Sequence, residues 1–331
     1  MKVGVMGAGA IGCYLGGRLA AAGVPVVLVG RPALAAEVER EGLRLTDYRG
    51  AELRIAPAQL SVSSDAATLS DCDFVLVTVK GGDTSAAGAL LQPILKPDST
   101  LVSFQNGVNN PELLRAVLPG RRVLAGMVPF NVLRQDGARF HQGTNGRLAV
   151  ESGADELAAA LRRAGLPTDV HGDMRGVQWG KLLVNLNNSI NALSGIPIKE
   201  MLEFRDYRRV MAACLREGLA LLAAAGIRPV VEVKLPPGWL PFLLGLPDFV
   251  FSLLARTMMH IDPQARSSMW DDLERGRKTE IDALNGEVVR LAERLGRAAP
   301  INAAVVKLVR EAEGRRSPCI PAAELRARLG V

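Results

Sequence analysis

The first 31 residues, MKVGVMGAGAIGCYLGGRLAAAGVPVVLVGR, read as a strand, a glycine turn, a helix and a second strand. Val3, Val5 and Met6 form a short apolar run that leads into Gly7-Ala8-Gly9-Ala10-Ile11-Gly12. Each glycine has a mechanical role. Gly7 suits the tight turn, Gly9 removes a side chain where backbone meets a pyrophosphate, and Gly12 lets the helix pack closely on the strand. The phosphates of a dinucleotide would then lie on the free amides at the helix N-terminus.

The end of the second strand refines this reading. Pro25 to Val29 is apolar and β-branched, and a site for NAD would place Asp or Glu just after it to bind the ribose 2′-hydroxyl. Gly30-Arg31 stands there instead. A guanidinium suits a 2′-phosphate through paired charge-assisted hydrogen bonds, so the expected cofactor is NADP(H).

A chain of 331 residues is long enough for two domains with sizeable cores. Hydrophobic content of 48% beside 22% charged residues is that of a soluble globular protein. The net charge of +6 is spread along the chain and only 4% of residues are aromatic, so no nucleic-acid partner is expected. Cys13, Cys72, Cys214 and Cys319 are widely spaced. No signal peptide precedes the first strand, so reduced thiols and a cytoplasmic location are expected. His141, His171 and His260 lack metal-ligand spacing, and no metal site is expected. Residues 235–259 are rich in Leu, Phe and Trp, but four prolines with Asp248 and Arg256 interrupt them before a run of about 20 apolar residues is reached. They read as a helix–turn–helix excursion that covers a groove or a subunit contact, which leaves room for a homodimer, and no membrane span is expected.

Strand and helix signals alternate through the first half. Residues 74–79, 100–104, 123–128, 147–151 and 168–170 read as strands, which implies a mostly parallel sheet wrapped by helices. Ligands in such sheets bind beyond the carboxyl ends of the strands, where Lys80 and Asn106 fall. Beyond about Gly172 helical periodicity takes over, over 177–193, 199–225, 271–295 and 301–313. Gly226 and Gly296 stand where helix stops are expected. The expected fold is therefore α/β: a Rossmann-type doubly wound sheet over 1–172, then an all-helical domain over 173–331.

Within the helical half, Lys181, Asn185, Asn188 and Ser189 fall on one face at spacings of four, seven and eight, among Leu182, Leu183, Leu186 and Ile190. Polar groups on a mostly buried helix need partners. They form either a polar network that fixes a contact between domains, or a lysine that donates a proton beside amides that bind substrate oxygens. Further on, Ser268 followed by Asp271 resembles a capping box. Glu280 lies twelve residues beyond Ser268 and points away from it at about 100° per residue if both are helical. The two can share a site only if Ser268 lies at the mouth of its helix.

Together the GAGAIG turn, Arg31, Val79-Lys80, Gln105-Asn106-Gly107, Lys181 to Asn185, Arg266 to Met269, Thr279 to Asp282 and Asn285-Gly286 resemble the 2-dehydropantoate 2-reductase (ketopantoate reductase) family over nearly the full length. The resemblance implies NADPH-dependent reduction of 2-dehydropantoate to (R)-pantoate in pantothenate synthesis, with substrate held in a cleft between the domains. It makes Lys181 the proton donor to the keto oxygen. Asn185, Ser189 and Ser268 would bind substrate, and Asn106 would lie between cofactor and substrate. Lys80 and Glu280 would contact the cofactor, Glu280 as part of the catalytic set. Ser189 stands where the family often has Asn, with Asn188 and Asn191 beside it, and residues 232–262 look longer and more apolar than in compact members. Both departures bear on the identity of the keto acid. A bulkier 2-keto acid is the alternative substrate, and a non-catalytic NADP-binding regulator the remoter alternative.

Overall fold

The computed structural model describes residues 1–231, 235–258 and 264–331, with the side chains of 255–258 excepted. His260 and Met259 lie outside the described residues. The chain divides into two compact units, Met1–Met174 and Arg175–Val331.

The first unit is built on an eight-stranded sheet. Its strands are β1 (Val3–Met6), β2 (Val26–Val29), β5 (Ser61–Ser63), β6 (Phe74–Val77), β7 (Thr100–Ser103), β8 (Arg122–Met127), β11 (Leu148–Glu151) and β12 (Thr168–His171). Their order is β12-β11-β8-β7-β6-β1-β2-β5, parallel except where β11 meets β8. The α/β fold and doubly wound sheet expected from sequence are what the structure has.

Side chains alternate between the two faces, as a period of two requires. Val3, Val5, Val26, Leu28, Phe74, Leu76, Val102 and Leu124 enter one core with helices α1 (Ala10–Ala21), α2 (Pro32–Glu41) and α5 (Asp155–Arg163). Met6, Val27, Val29, Val75, Val77, Leu101 and Val123 enter the other with α3 (Thr84–Leu91) and α4 (Asn110–Val117). Burial on both faces explains why these strands read as continuous apolar runs.

A second sheet of four strands was not visible in the sequence pattern. It comprises β3 (Leu43–Asp47), β4 (Glu52–Ile55), β9 (Val132–Arg134) and β10 (Arg139–Gln142), in the order β4-β3-β10-β9. Its strands are short and half polar, and the β3–β10 pairing joins Arg44 to Arg139 across most of the unit. Helix α1 packs against both sheets. A β-carbon on Gly16 would lie 2.5 Å from Leu28 of the large sheet, and one on Gly17 would lie 3.0 Å from Leu45 of the small one.

In the second unit the described residues form helices and turns only. The helices are α6 (Met174–Asn185), α7 (Asn187–Ser194), α8 (Ile198–Glu203), α9 (Arg205–Ala224), α10 (Leu240–Leu244), α11 (Asp248–Met258), α12 (Ser268–Glu274), α13 (Asn285–Arg294), α14 (Pro300–Ala312) and α15 (Ala322–Leu329). Long α9 is the spine, packed by α10, α13, α14 and α15. Glu217 on α9 caps α14, accepting from the amides of Ile301 and Asn302 at 2.8 and 2.9 Å. Fully buried Arg208 ties the 240s to α9. It pairs with Asp248, donates to the Leu246 carbonyl and lies 4.1 Å from the Phe251 ring centroid.

Three expected helices are divided. The 199–225 helix breaks at Phe204, whose backbone is extended. The 177–193 helix begins earlier, at Met174, and is interrupted at Leu186, whose amide bonds to both Leu182 and Leu183. The 271–295 helix is corrected most. α12 stops at Glu274, where Gly276 takes φ +63° and Arg277 N–H reaches back to the Asp272 carbonyl, closing the helix end. Gly226 and Gly296 close α9 and α13 in the same way, at the positions the sequence marked.

Residues 240–258 form two short helices rather than a span, and no helix among the described residues is long and apolar enough to cross a membrane. Their outward face carries Phe242, Phe249 and Leu253 in exposed positions.

The seating of α1 on the large sheet depends on Gly12. A β-carbon there would lie 2.4 Å from the Gly7 carbonyl and 2.6 Å from Thr78 Oγ1. Gly12→Ala is therefore expected to lower stability by about 1–3 kcal/mol through overpacking, read as a lower urea midpoint. An unchanged midpoint would show that the helix can lift without penalty.

Candidate active site

The carboxyl ends of four strands lie side by side in the first unit. The parallel register places Met6 beside Val29 on one side and beside Val77 on the other, and Val77 beside Ser103. The segments that follow are Gly7–Gly12, Gly30-Arg31, Thr78 to Lys80 and Phe104 to Asn106. The chain leaves β5 at one edge and re-enters at β6 on the far side of β1, so the glycine turn lies at a switch point of the sheet.

The turn is held from both sides. Gly7 and Ala8 amides donate to the Val29 carbonyl at 3.0 and 2.8 Å, and Thr78 Oγ1 donates to the Gly7 carbonyl at 2.7 Å. Gly7 has φ +107°, and a β-carbon there would lie 2.7 Å from Val79 N, so only glycine fits. Gly9 is exposed, and a β-carbon there would meet only the Gly7 carbonyl oxygen, at 4.0 Å. No side chain caps α1, and no acid stands in its first turn. The amides of Ala10, Ile11 and Gly12 have no acceptor within the helix, and the dipole favours an anion beside them. A pyrophosphate fits this cradle.

Arg31 is exposed and pairs with no carboxylate among the described residues. A β-carbon on Gly30 would lie 2.6 Å from that of Ala8, so this backbone has no room for the carboxylate that would otherwise end β2.

Lys80 and Asn106 are exposed just beyond β6 and β7. A buried network that the sequence reading did not find holds their loops. Gln105 Nε2 donates to Val79 O at 3.0 Å and to Thr84 Oγ1 at 2.7 Å. Thr84 donates to Asn110 Oδ1, and Asn110 Nδ2 donates to the Asn106 carbonyl at 2.6 Å. The available signal was a pair of amides and a hydroxyl beside apolar strands, which need partners if buried.

In the second unit, Lys181, Asn185 and Asn188 are half-buried along α6 and the start of α7. The carboxamides of Asn185 and Asn188 make no hydrogen bond to the described residues. Val230 N–H donates to Gly176 O at 2.9 Å, so the 228–230 backbone lies against α6 one turn before Lys181. Ser189 is different: it is fully buried and its hydroxyl donates to the Leu186 carbonyl at 2.9 Å. The expectation that it contacts substrate is corrected. The interruption at Leu186 leaves a carbonyl that its hydroxyl satisfies inside the core.

The helix cap moves by one residue from its expected place. Ser267 caps α12, accepting from Trp270 N–H at 3.2 Å, while exposed Ser268 is the first helical residue, at the helix mouth. Three residues on, burial pushes the Asp271 carboxyl above the usual carboxylate range, opposed by nearby Arg275. Glu280 is half-buried and outside α12, in the turn before α13, where Thr279 donates through N and Oγ1 to Glu313 at 2.9 and 2.7 Å. The helical geometry that turned Glu280 away from Ser268 therefore does not apply.

All four cysteines are free. Burial pushes the Cys13 thiol up to about 12 and Cys72 to about 11, so neither is a ready nucleophile. No metal-ligating cluster of His, Cys, Asp or Glu occurs among the described residues.

Comparison with known proteins accounts for this combination. The family model described as ketopantoate reductase PanE/ApbA matches residues 3–155, and its C-terminal counterpart matches 173–313. A 2-dehydropantoate 2-reductase of Archaeoglobus fulgidus is 28% identical over 323 residues, 94% of this chain and 98% of the relative. The crystal structure of a PanE/ApbA family ketopantoate reductase from Ralstonia eutropha superposes with a TM-score of 0.81 at 32% identity, covering 95% of this chain and 98% of that one. A D-mandelate dehydrogenase solved with NADH and anilino(oxo)acetate shares the fold, with a TM-score of 0.77 at 20% identity over 95% and 98% of the two chains. With both of its parts matched, the chain belongs to the ketopantoate reductase PanE/ApbA family and is an oxidoreductase of that family.

Proposed function

We propose that this reductase uses NADPH to reduce 2-dehydropantoate to (R)-pantoate, a step toward pantothenate. The observation that carries the reading is the half-buried stripe of Lys181, Asn185 and Asn188, in which two carboxamides without partners among the described residues accompany one ammonium. The name carried by the Archaeoglobus relative supports the substrate.

When bound, NADPH supplies the hydride that adds to the keto carbon. Lys181 gives a proton to the keto oxygen as charge develops there, so no free alkoxide forms. Asn185 and Asn188 donate to substrate oxygens, and Ser268 adds a hydroxyl at the mouth of α12. The free amides of Ala10, Ile11 and Gly12, which the Gly7–Gly9 turn positions, take the pyrophosphate and Arg31 takes the 2′-phosphate. Lys80, Asn106 and Glu280 hold the remaining polar groups of the cofactor, with Asn106 nearest the substrate.

Three experiments follow. Nucleotide titration is expected to show tighter binding of NADPH than of NADH. Arg31→Ala should weaken NADPH by about 1–3 kcal/mol and leave NADH nearly unchanged. Equal affinities in the wild type would remove the role given to Arg31.

Lys181→Ala is expected to lower kcat by about two to four orders of magnitude while the NADPH dissociation constant holds. Near-normal turnover would assign the proton to another group.

Steady-state assays over a panel of 2-keto acids with NADPH test the substrate itself. The expected result is the highest kcat/KM for 2-dehydropantoate, with Asn188→Ala reducing its preference over the analogue lacking the terminal hydroxyl, since a site that bonds a hydroxyl rejects its absence. Faster turnover of a bulkier keto acid would keep the reaction and replace the substrate, and turnover of none would overturn the reading.

A further inference from the structure

The mouth of α12 is fastened to α7 and the turn after it by four hydrogen bonds. Ile198 N–H donates to the Ala265 carbonyl at 2.9 Å, and Arg266 Nη1 donates to the Gly195 carbonyl at 2.6 Å. Ser267 Oγ donates to the Asn188 carbonyl at 3.1 Å, and Ser267 N–H donates to Asn191 Oδ1 at 2.9 Å. Only the last uses a side chain of α7. Asn191 is fully buried, and its Nδ2 donates to the Ile196 carbonyl at 2.8 Å, so one carboxamide joins the end of α7 to the start of α12.

Why an amide is needed follows from what it satisfies. Ser267 N–H and Ile196 O are backbone groups, one a donor and one an acceptor, on segments 71 residues apart in sequence. Left unpaired inside the protein, each would be destabilising. A carboxamide presents a donor and an acceptor from one rigid plane, which a hydrophobic residue of the same size cannot do. α12 has only seven residues, so its direction is set by this docking more than by its own length.

We infer that Asn191 is a positioning residue for the keto-acid end of the site: it holds Ser268, the next residue after Ser267, in register with Asn188. The inference rests on the reading that Ser268 and Asn188 bind substrate. Asn191 itself is buried and touches no ligand, so it acts through Ser268. Misplacement of a binding group by about 1 Å can cost as much as ~10²-fold in rate, so a lost clamp has a measurable consequence.

A double-mutant cycle tests this on the full chain with 2-dehydropantoate and NADPH, alongside NADPH titration and thermal melts. Asn191→Ala is expected to raise KM for the keto acid about tenfold or more and to change the NADPH dissociation constant less than about twofold. In a Ser268→Ala background the same substitution should add less than about twofold to KM, because its effect passes through the missing hydroxyl. Should Asn191→Ala fold poorly, Ser267→Ala removes the Oγ bonds to Asn188 and Trp270 while leaving the carboxamide in place, and should show the same non-additive pattern. Penalties that multiply, or a KM unchanged by Asn191→Ala and Ser267→Ala while Ser268→Ala raises it, would overturn the positioning role alone. A Ser268→Ala enzyme with wild-type KM would overturn the reading beneath it as well.

Discussion

The parallel register of β7, β6, β1 and β2 is the constraint on which the first unit depends. Because Met6, Val29, Val77 and Ser103 are neighbours across the sheet, the four segments that follow emerge side by side. A slip of one residue would exchange the two apolar faces and carry the glycine turn away from Thr78. With the register set, the turn is over-determined: the Val29 carbonyl accepts from two of its amides, and the Thr78 hydroxyl donates to its carbonyl. Glycines at 7 and 12 are then required by space, and the first-turn amides of α1 are left facing outward for an anion.

A different constraint governs the helical unit, where buried backbone and amide groups must find partners across long stretches of chain. Glu217 closes the start of α14, Asn302 bonds Asn285, and Asn191 joins Ser267 to Ile196. Such bonds contribute modestly one at a time, on the order of 1 kcal/mol net, but leaving either partner unmatched costs more. They therefore specify geometry better than they add stability. The polar stripe of α6 and the start of α7 differs, because the carboxamides of Asn185 and Asn188 make no hydrogen bond to the described residues.

The end of β2 illustrates how packing limits chemistry. Ala8 approaches Gly30 so closely that a side chain at 30 has no room, which removes the usual place for a ribose-binding acid. Arg31, one residue later and exposed, then places a guanidinium just beyond the end of β2. The same steric fact that seats the glycine turn also decides which side chains can stand at the end of β2.

How much of this was legible depended on how local its cause was. The seven principal strands, the glycine turn, the stops at Gly226 and Gly296 and the stripe from Lys181 to Asn188 follow from side-chain period and φ preference, which act within a few residues. The small sheet does not, because β3 and β10 are half-polar strands whose pairing is set by α1 lying against both. Nor does the difference between neighbours such as Ser189 and Asn188, or Ser267 and Ser268. Each pair has nearly the same local pattern, and only the position of the Leu186, Asn188 and Trp270 backbone groups turns one inward and leaves the other half-buried or exposed. Sequence determined which chemistry the chain carries, since residue type and spacing are written along it. Tertiary structure decided which of those groups remain available, because a hydrogen bond to a distant backbone atom consumes a side chain that its neighbour keeps free.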